Sequence, residues 1–203
     1  KFPNLFFIFF LILSGLHFGI SDRESKSFLM KKMEVLLRAI IIIILPIRFY
    51  TEEIKEIFLF FFINDNFITS FYYWSEFFLY LAIFIVIFFL INFLLKKISK
   101  NLIIEIILLI FCFTYFKPLV SFLIYFCFLH SVRHLLYEKL KLNLSLKRLI
   151  LKTLPMTVLS CLFIIFLIIT VNKNNLFNVS HIVIAISSLT ISHIFLVNFL
   201  KKD

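Results

Sequence analysis

Two imidazoles four residues apart, His130 and His134, stand in the run Phe126-Cys127-Phe128-Leu129-His130-Ser131-Val132-Arg133-His134-Leu135. On a helix that spacing projects both rings from one face, where they can reach a single metal ion. Polar side chains are costly at membrane depth, so His130, Arg133 and His134 call for a functional reading that the neighbouring Phe and Leu do not. From spacing alone, a shared metal competes with a structural polar pair and with a haem-type arrangement. Arg133 reads as a snorkelling or headgroup-contacting cation that could pair with an acid.

A third histidine, His17, belongs to Leu16-His17-Phe18-Gly19-Ile20-Ser21-Asp22, an H-F-G-x-x-D pattern. Gly19 suits a close helix approach or a helix end. Asp22 could accept a hydrogen bond from a ligand imidazole and so fix its orientation, or simply end a helix at the membrane surface. His193, in Thr190-Ile191-Ser192-His193, could reach the same region from the last apolar run, while His181 falls towards the opposite face. Glu105 reads as an acid near a helix start rather than as an iron or outer-sphere carboxylate.

The elements that must position these residues follow from composition. The chain has 203 residues, 63% of them hydrophobic and 16% charged, with a mean hydropathy of +1.09. A soluble domain would carry about a quarter charged residues. The expected fold class is therefore all-α, a polytopic transmembrane helix bundle forming one integral-membrane domain over residues 1–203. With two Gly and four Pro there are few breakers, and unpaired backbone groups are excluded from hydrocarbon. A β-barrel would show short alternating segments instead. The net charge of +10 sits in short connections rather than in a stripe, so it reads as a topology signal and not as a nucleic-acid surface. Cys112, Cys127 and Cys161 lie in apolar runs without C-x-x-C spacing, which argues against a disulfide framework or a zinc ribbon. The abundance of Phe is a bias of the whole chain, so no single ring is singled out.

The apolar segments expected are Phe2–Ile20, Val35–Ile47, Phe71–Leu95, Leu102–Phe116, Leu119–Tyr137, Thr153–Val171 and Leu176–Leu200. Val35–Ile47 spans only if Arg38 snorkels or the helix recruits its flanks, and Thr51–Ser70 suits an interfacial amphipathic helix. Basic residues in successive connections alternate between rich and poor, as about seven spans with the rich loops cytoplasmic require. That places the C-terminus in the cytoplasm of a multi-pass inner or plasma-membrane protein. It also brings His17, His130 and His134 to a similar depth. The start at Lys1, directly before an apolar segment, reads as an N-terminally incomplete chain.

Pro118-Leu119-Val120-Ser121-Phe122, Tyr125-Phe126-Cys127 and His130-Ser131-Val132-Arg133-His134-Leu135, with His17-Phe18-Gly19 and Asp22 far upstream, resemble the Brp/Blh family of bacterial and archaeal membrane β-carotene 15,15'-dioxygenases. The likeness extends over essentially the whole chain. It implies a membrane-embedded non-haem Fe(II) enzyme that cleaves β-carotene with O2 into two retinals, with a rhodopsin as a functional neighbour. It further implies iron held by four histidines, three of which map to His17, His130 and His134. The fourth belongs to a G-L-P-H-G-A-x-D-like motif that would precede Lys1. His193 resembles a late P-H motif in which Ser192 replaces the proline, and Pro46–Glu53 resembles a stretch that commonly carries a further His-Pro pair. Histidine ligands without thiolate suit Fe(II). The rivals are a non-catalytic carotenoid- or retinal-binding or rhodopsin-accessory protein, and a transporter using His130, Arg133 and His134 as a proton or anion relay.

Overall fold

The helix that organises the bundle is a charged one. In a computed structural model, which describes residues 2–60, 63–141, 143, 145–151, 153–155, 158–159 and 162, α2 (Phe28–Phe49) packs against α1 (Phe2–Asp22), α4 (Asp65–Leu94) and α5 (Lys100–Tyr115). Its inward stripe includes Glu34, Leu37, Arg38, Ile41, Ile44 and Leu45, the repeat of three and four that a buried helical face requires. Pro46 sits in its last turn and the helix continues to Phe49. Of the two expectations for Val35–Ile47, the structure agrees with recruited flanks, since the helix starts seven residues earlier, and corrects the snorkelling Arg38, which is 0% exposed.

Close approach of α1 to α2 is set by Gly15 and Gly19, four residues apart and facing α2. A Cβ on Gly15 would come 2.8 Å from the tip of Ile43, and one on Gly19 would come 2.6 Å from the Val35 carbonyl oxygen. Small residues at this spacing allow two backbones to touch where hydrocarbon supplies no hydrophobic drive between helices.

The remaining elements frame this pair. Short α3 (Thr51–Phe60) carries Glu52 and Glu53 in its first turn, in keeping with an amphipathic segment, but the expected interfacial stretch ends there. Residues from Asp65 onward belong to α4, whose N-cap Asn64 accepts from the Phe67 amide. The 30 residues of α4 make it about 45 Å long. The 16 residues of α5 reach about 24 Å, less than the roughly 30 Å hydrocarbon layer. Then α6 (Pro118–Ile124), a π-helical turn at Tyr125–His130 and α7 (Ser131–Lys141) follow as one continuous rod.

The described elements are all helical, and three stretches are long and apolar enough to cross a membrane: Asn4–Asp22, Asp65–Leu94 and Pro118–Lys141. Seven spans are therefore not established by the described residues. The first half of α2 is too charged to qualify and α5 is too short. Leu176–Leu200, His181 and His193, and the greater part of Thr153–Val171 with Cys161, lie outside the described residues, as does the C-terminus. Cys112 and Cys127 are free thiols.

Candidate metal centre and its ionic scaffold

His17 projects from the last third of α1, and Asp22 ends the same helix. Both are buried, Asp22 to 1% exposure. The surface reading of Asp22 is therefore set aside. Opposite them, the π-helical turn ends at His130, also buried. Its Nδ1 lies 3.2 Å and 3.3 Å from the two Asp22 carboxylate oxygens. The Tyr125 hydroxyl, from the first residue of the same turn, donates to Oδ2 of Asp22. An ionised carboxylate only accepts, so His130 presents Nδ1–H to it; in the neutral imidazole the Nε2 lone pair is then left for another partner. Single π turns are frequent at functional sites, and here one turn supplies both donors to Asp22.

The rings of His17 and His130 stand 5.6 Å apart, centroid to centroid. Phe18 packs edge-on against His130 at 4.9 Å, and Phe126 stacks on it at 5.6 Å. The imidazole pair is thus enclosed by aromatic surface, with Asp22 and Tyr125 as its polar neighbours. His134 lies one turn beyond His130 in α7 and is half-buried. Among the described residues, no three His, Cys, Asp or Glu side chains gather in a metal-holding group. The structure places His130 between His17 and Asp22, in ring contact with the first and hydrogen-bonded to the second.

Three charged residues assigned to the membrane surface in the sequence join this site through ion pairs. Arg133 donates to the backbone carbonyl of Asp22, and its Nη2 contacts Glu105 at 2.7 Å and Glu24 at 3.0 Å. Glu105 also accepts from Arg38 at 2.6 Å. Arg38 in turn holds Glu34 at 2.9 Å, the i,i+4 partner on its own helix. The Glu34 carboxylate accepts from the amides of Glu24 and Ser25 at 2.9 Å and 2.8 Å, tying down the chain just after α1. Arg133 is an acid-paired cation rather than a snorkelling one, and Glu105 is a junction rather than a plain helix-end acid. At the rim, burial and then the nearby Glu105 charge push the Glu24 carboxyl above its ordinary range, against the opposing pull of Arg133 and Arg38.

Sequence reading missed Glu34, Arg38 and Tyr125 as parts of the site. The Glu34–Arg38 spacing was a usable signal, since opposite charges at i,i+4 in an apolar helix can bury each other. Tyr125 was marked only as part of the Tyr125-Phe126-Cys127 stretch that carries the family resemblance, with no role attached to it.

Donor chemistry and burial fit a metal in part. Two neighbouring imidazoles, one oriented by a carboxylate, are a usual ligand arrangement, while the further donors that a complete centre needs are not gathered among the described residues. Fold and site together define a helical, membrane-type protein with a buried, carboxylate-oriented histidine pair. Over residues 1–201 the sequence matches the family described as beta-carotene 15,15'-dioxygenase, and the chain belongs to that family. No curated protein and no solved structure matches it.

Proposed function

We propose that the protein cleaves the central double bond of β-carotene with O2, giving two retinal molecules, at a non-haem Fe(II) centre inside the membrane. Family membership makes carotenoid oxygenation the governing class. The observation that carries the site is the Asp22–His130 hydrogen bond with His17 alongside. His17 and His130 would hold the iron, and His134, one turn further on, is the third ligand in this reading. Bound Fe(II) would supply the activation of O2.

The chain's own residues do the rest. Asp22 keeps the proton of His130 on Nδ1 and so directs Nε2 to the metal. Tyr125 holds the second carboxylate oxygen. Phe18 and Phe126 keep water from the imidazoles, which protects a reactive site from side reactions. Four carboxylates (Asp22, Glu24, Glu34 and Glu105) stand against two guanidiniums (Arg38 and Arg133) in the adjoining network. The formal negative excess favours a divalent cation beside it. An apolar cleft of about 560 Å³ between α5 and the α6–π-turn rod has Glu105 and Tyr125 among its lining residues, which suits approach of a hydrocarbon substrate from the bilayer. A proton-relay transporter is less favoured, because the arginines of this network cannot give up a proton.

The test is retinal formation in β-carotene-accumulating cells that express the protein, beside His17→Ala, His130→Ala and His134→Ala at matched expression. Retinal from the parent and none from the variants supports the reading. Uncleaved carotene with a folded, iron-supplied parent refutes it and favours an accessory role.

A further inference from the structure

Glu105 is held by both arginines of the network. Its Oε1 accepts from Arg38 at 2.6 Å and its Oε2 from Arg133 at 2.7 Å. From each arginine the contacts lead back to one short stretch, the end of α1 and the residues after it. On one side, Arg38 holds Glu34, which accepts from the amides of Glu24 and Ser25. On the other, Arg133 donates to the carbonyl oxygen of Asp22. Residues 22–25 are thus fixed from two directions, and both directions meet at Glu105 on α5. The side chain fixed most closely by this arrangement is Asp22, whose carboxylate lies on Nδ1 of His130.

We propose that Glu105 is a positioning residue for His130. By anchoring Arg38 and Arg133 together it sets the backbone of Asp22, and Asp22 then sets the tautomer and ring orientation of the imidazole. A buried ion network is poor evidence of added stability, because desolvation offsets much of its attraction. What this one does supply is a fixed geometry: two forked guanidiniums sharing one carboxylate tie α1, α2, α5 and α7 at a single point. The inference deepens the iron reading above, but its main consequence, the state of His130, does not need the metal.

The experiment uses the full chain in lipid nanodiscs, metal-free, with ¹⁵N-labelled histidine, and reads the His130 imidazole by NMR in the parent, Glu105→Gln, Arg133→Lys and Asp22→Asn. Fe(II) affinity is then measured anaerobically on the same samples. The parent is expected to carry the Nδ1–H tautomer. All three variants are expected to shift it towards a mixture and to bind Fe(II) about tenfold more weakly, as loss of an outer-sphere partner does. Arg133→Lys keeps the charge but lacks the fork, so it carries the test where Glu105→Gln does not fold. A merely structural role would lower the folded yield and leave the tautomer unchanged. An unchanged tautomer in folded Glu105→Gln or Arg133→Lys, with Asp22→Asn shifted, overturns the proposal. A parent that binds no iron and forms no retinal would instead sink the proposed activity, and the tautomer shift would still decide the role of Glu105.

Discussion

Substituting Gly19 by Ala tests whether the site depends on helix contact rather than on ligand residues alone. The added methyl would stand 2.6 Å from the Val35 carbonyl oxygen and 2.9 Å from Val35 Cγ1. The nearest obstacle is backbone, so no rotamer change relieves it, and α1 and α2 must part by roughly 0.5–1 Å. Such overpacking costs about 1–3 kcal/mol, offset by up to about 1 kcal/mol of helix propensity that Ala gains over Gly. The net expectation is a loss of about 1–2 kcal/mol, which for a chain of this size lowers the melting temperature by roughly 2–8 °C. Gly15→Ala is the control. Its Cβ would meet the flexible end of Ile43 at 2.8 Å and Ala39 Cβ at 3.1 Å, so a small side-chain shift accommodates it and the net change stays within about 0.5 kcal/mol. Thermal unfolding of both variants by circular dichroism in one detergent gives the comparison. Because Asp22 lies three residues beyond Gly19, retinal yield should fall with Gly19→Ala more than with Gly15→Ala. A Gly19→Ala protein as stable as the parent, or more stable than Gly15→Ala, would refute the close-contact account.

Three further outcomes are expected. Arg38→Met leaves Glu34 and Glu105 without their buried partner and should cost about 3–5 kcal/mol; adding Glu34→Gln should recover about 1 kcal/mol in a double-mutant cycle, and strict additivity would argue against direct coupling. Asp22→Asn should preserve the helical content yet lower retinal yield about 10–100-fold, since the amide no longer holds Nδ1–H as a carboxylate does. Full activity in that variant would remove Asp22 from the site. For Glu24 the folded chain binds the proton more readily than the unfolded chain, so its contribution is present below the ordinary value of 4.5 and lost as pH rises through the raised folded value. The stability of Glu24→Gln relative to the parent should therefore increase as pH rises through 4.5 and level off once pH has passed the raised folded value; melting curves taken from below 4.5 to neutral pH check the sign.

The helix at Phe2–Asp22 and the first half of Pro118–Lys141 were legible from hydropathy because Phe2–Ile20 and Leu119–Leu129 are nearly uninterrupted apolar runs. The pairing of His17 with His130 was legible in part, from their shared depth in an alternating topology. The boundaries of α2 were not. Lys31, Lys32, Glu34 and Arg38 look like a loop and its margin, yet the chain is helical through them, and the i,i+4 pair turns inward. The π-helical turn was equally hidden: Tyr125–His130 is apolar at nearly every position, and the extra residue per turn leaves no mark in hydropathy.

The misplacement of Arg38, Glu105 and Arg133 has one physical cause. Reading by hydropathy sends each charge to the nearest water, which is the right move for a residue considered alone. Glu105 is separated by 67 residues from Arg38 and by 28 from Arg133, so neither partner is visible in its local sequence. Once helices associate, the interior of the bundle offers what lipid does not, namely opposite charges and backbone donors. Glu34, Arg38, Glu105 and Arg133, each costly to bury singly, then satisfy one another. A charged residue in an apolar segment of such a chain is thus better read as a demand for an interior partner than as a mark of the segment's end, and here those partners converge on the backbone around Asp22, the residue whose carboxylate holds His130.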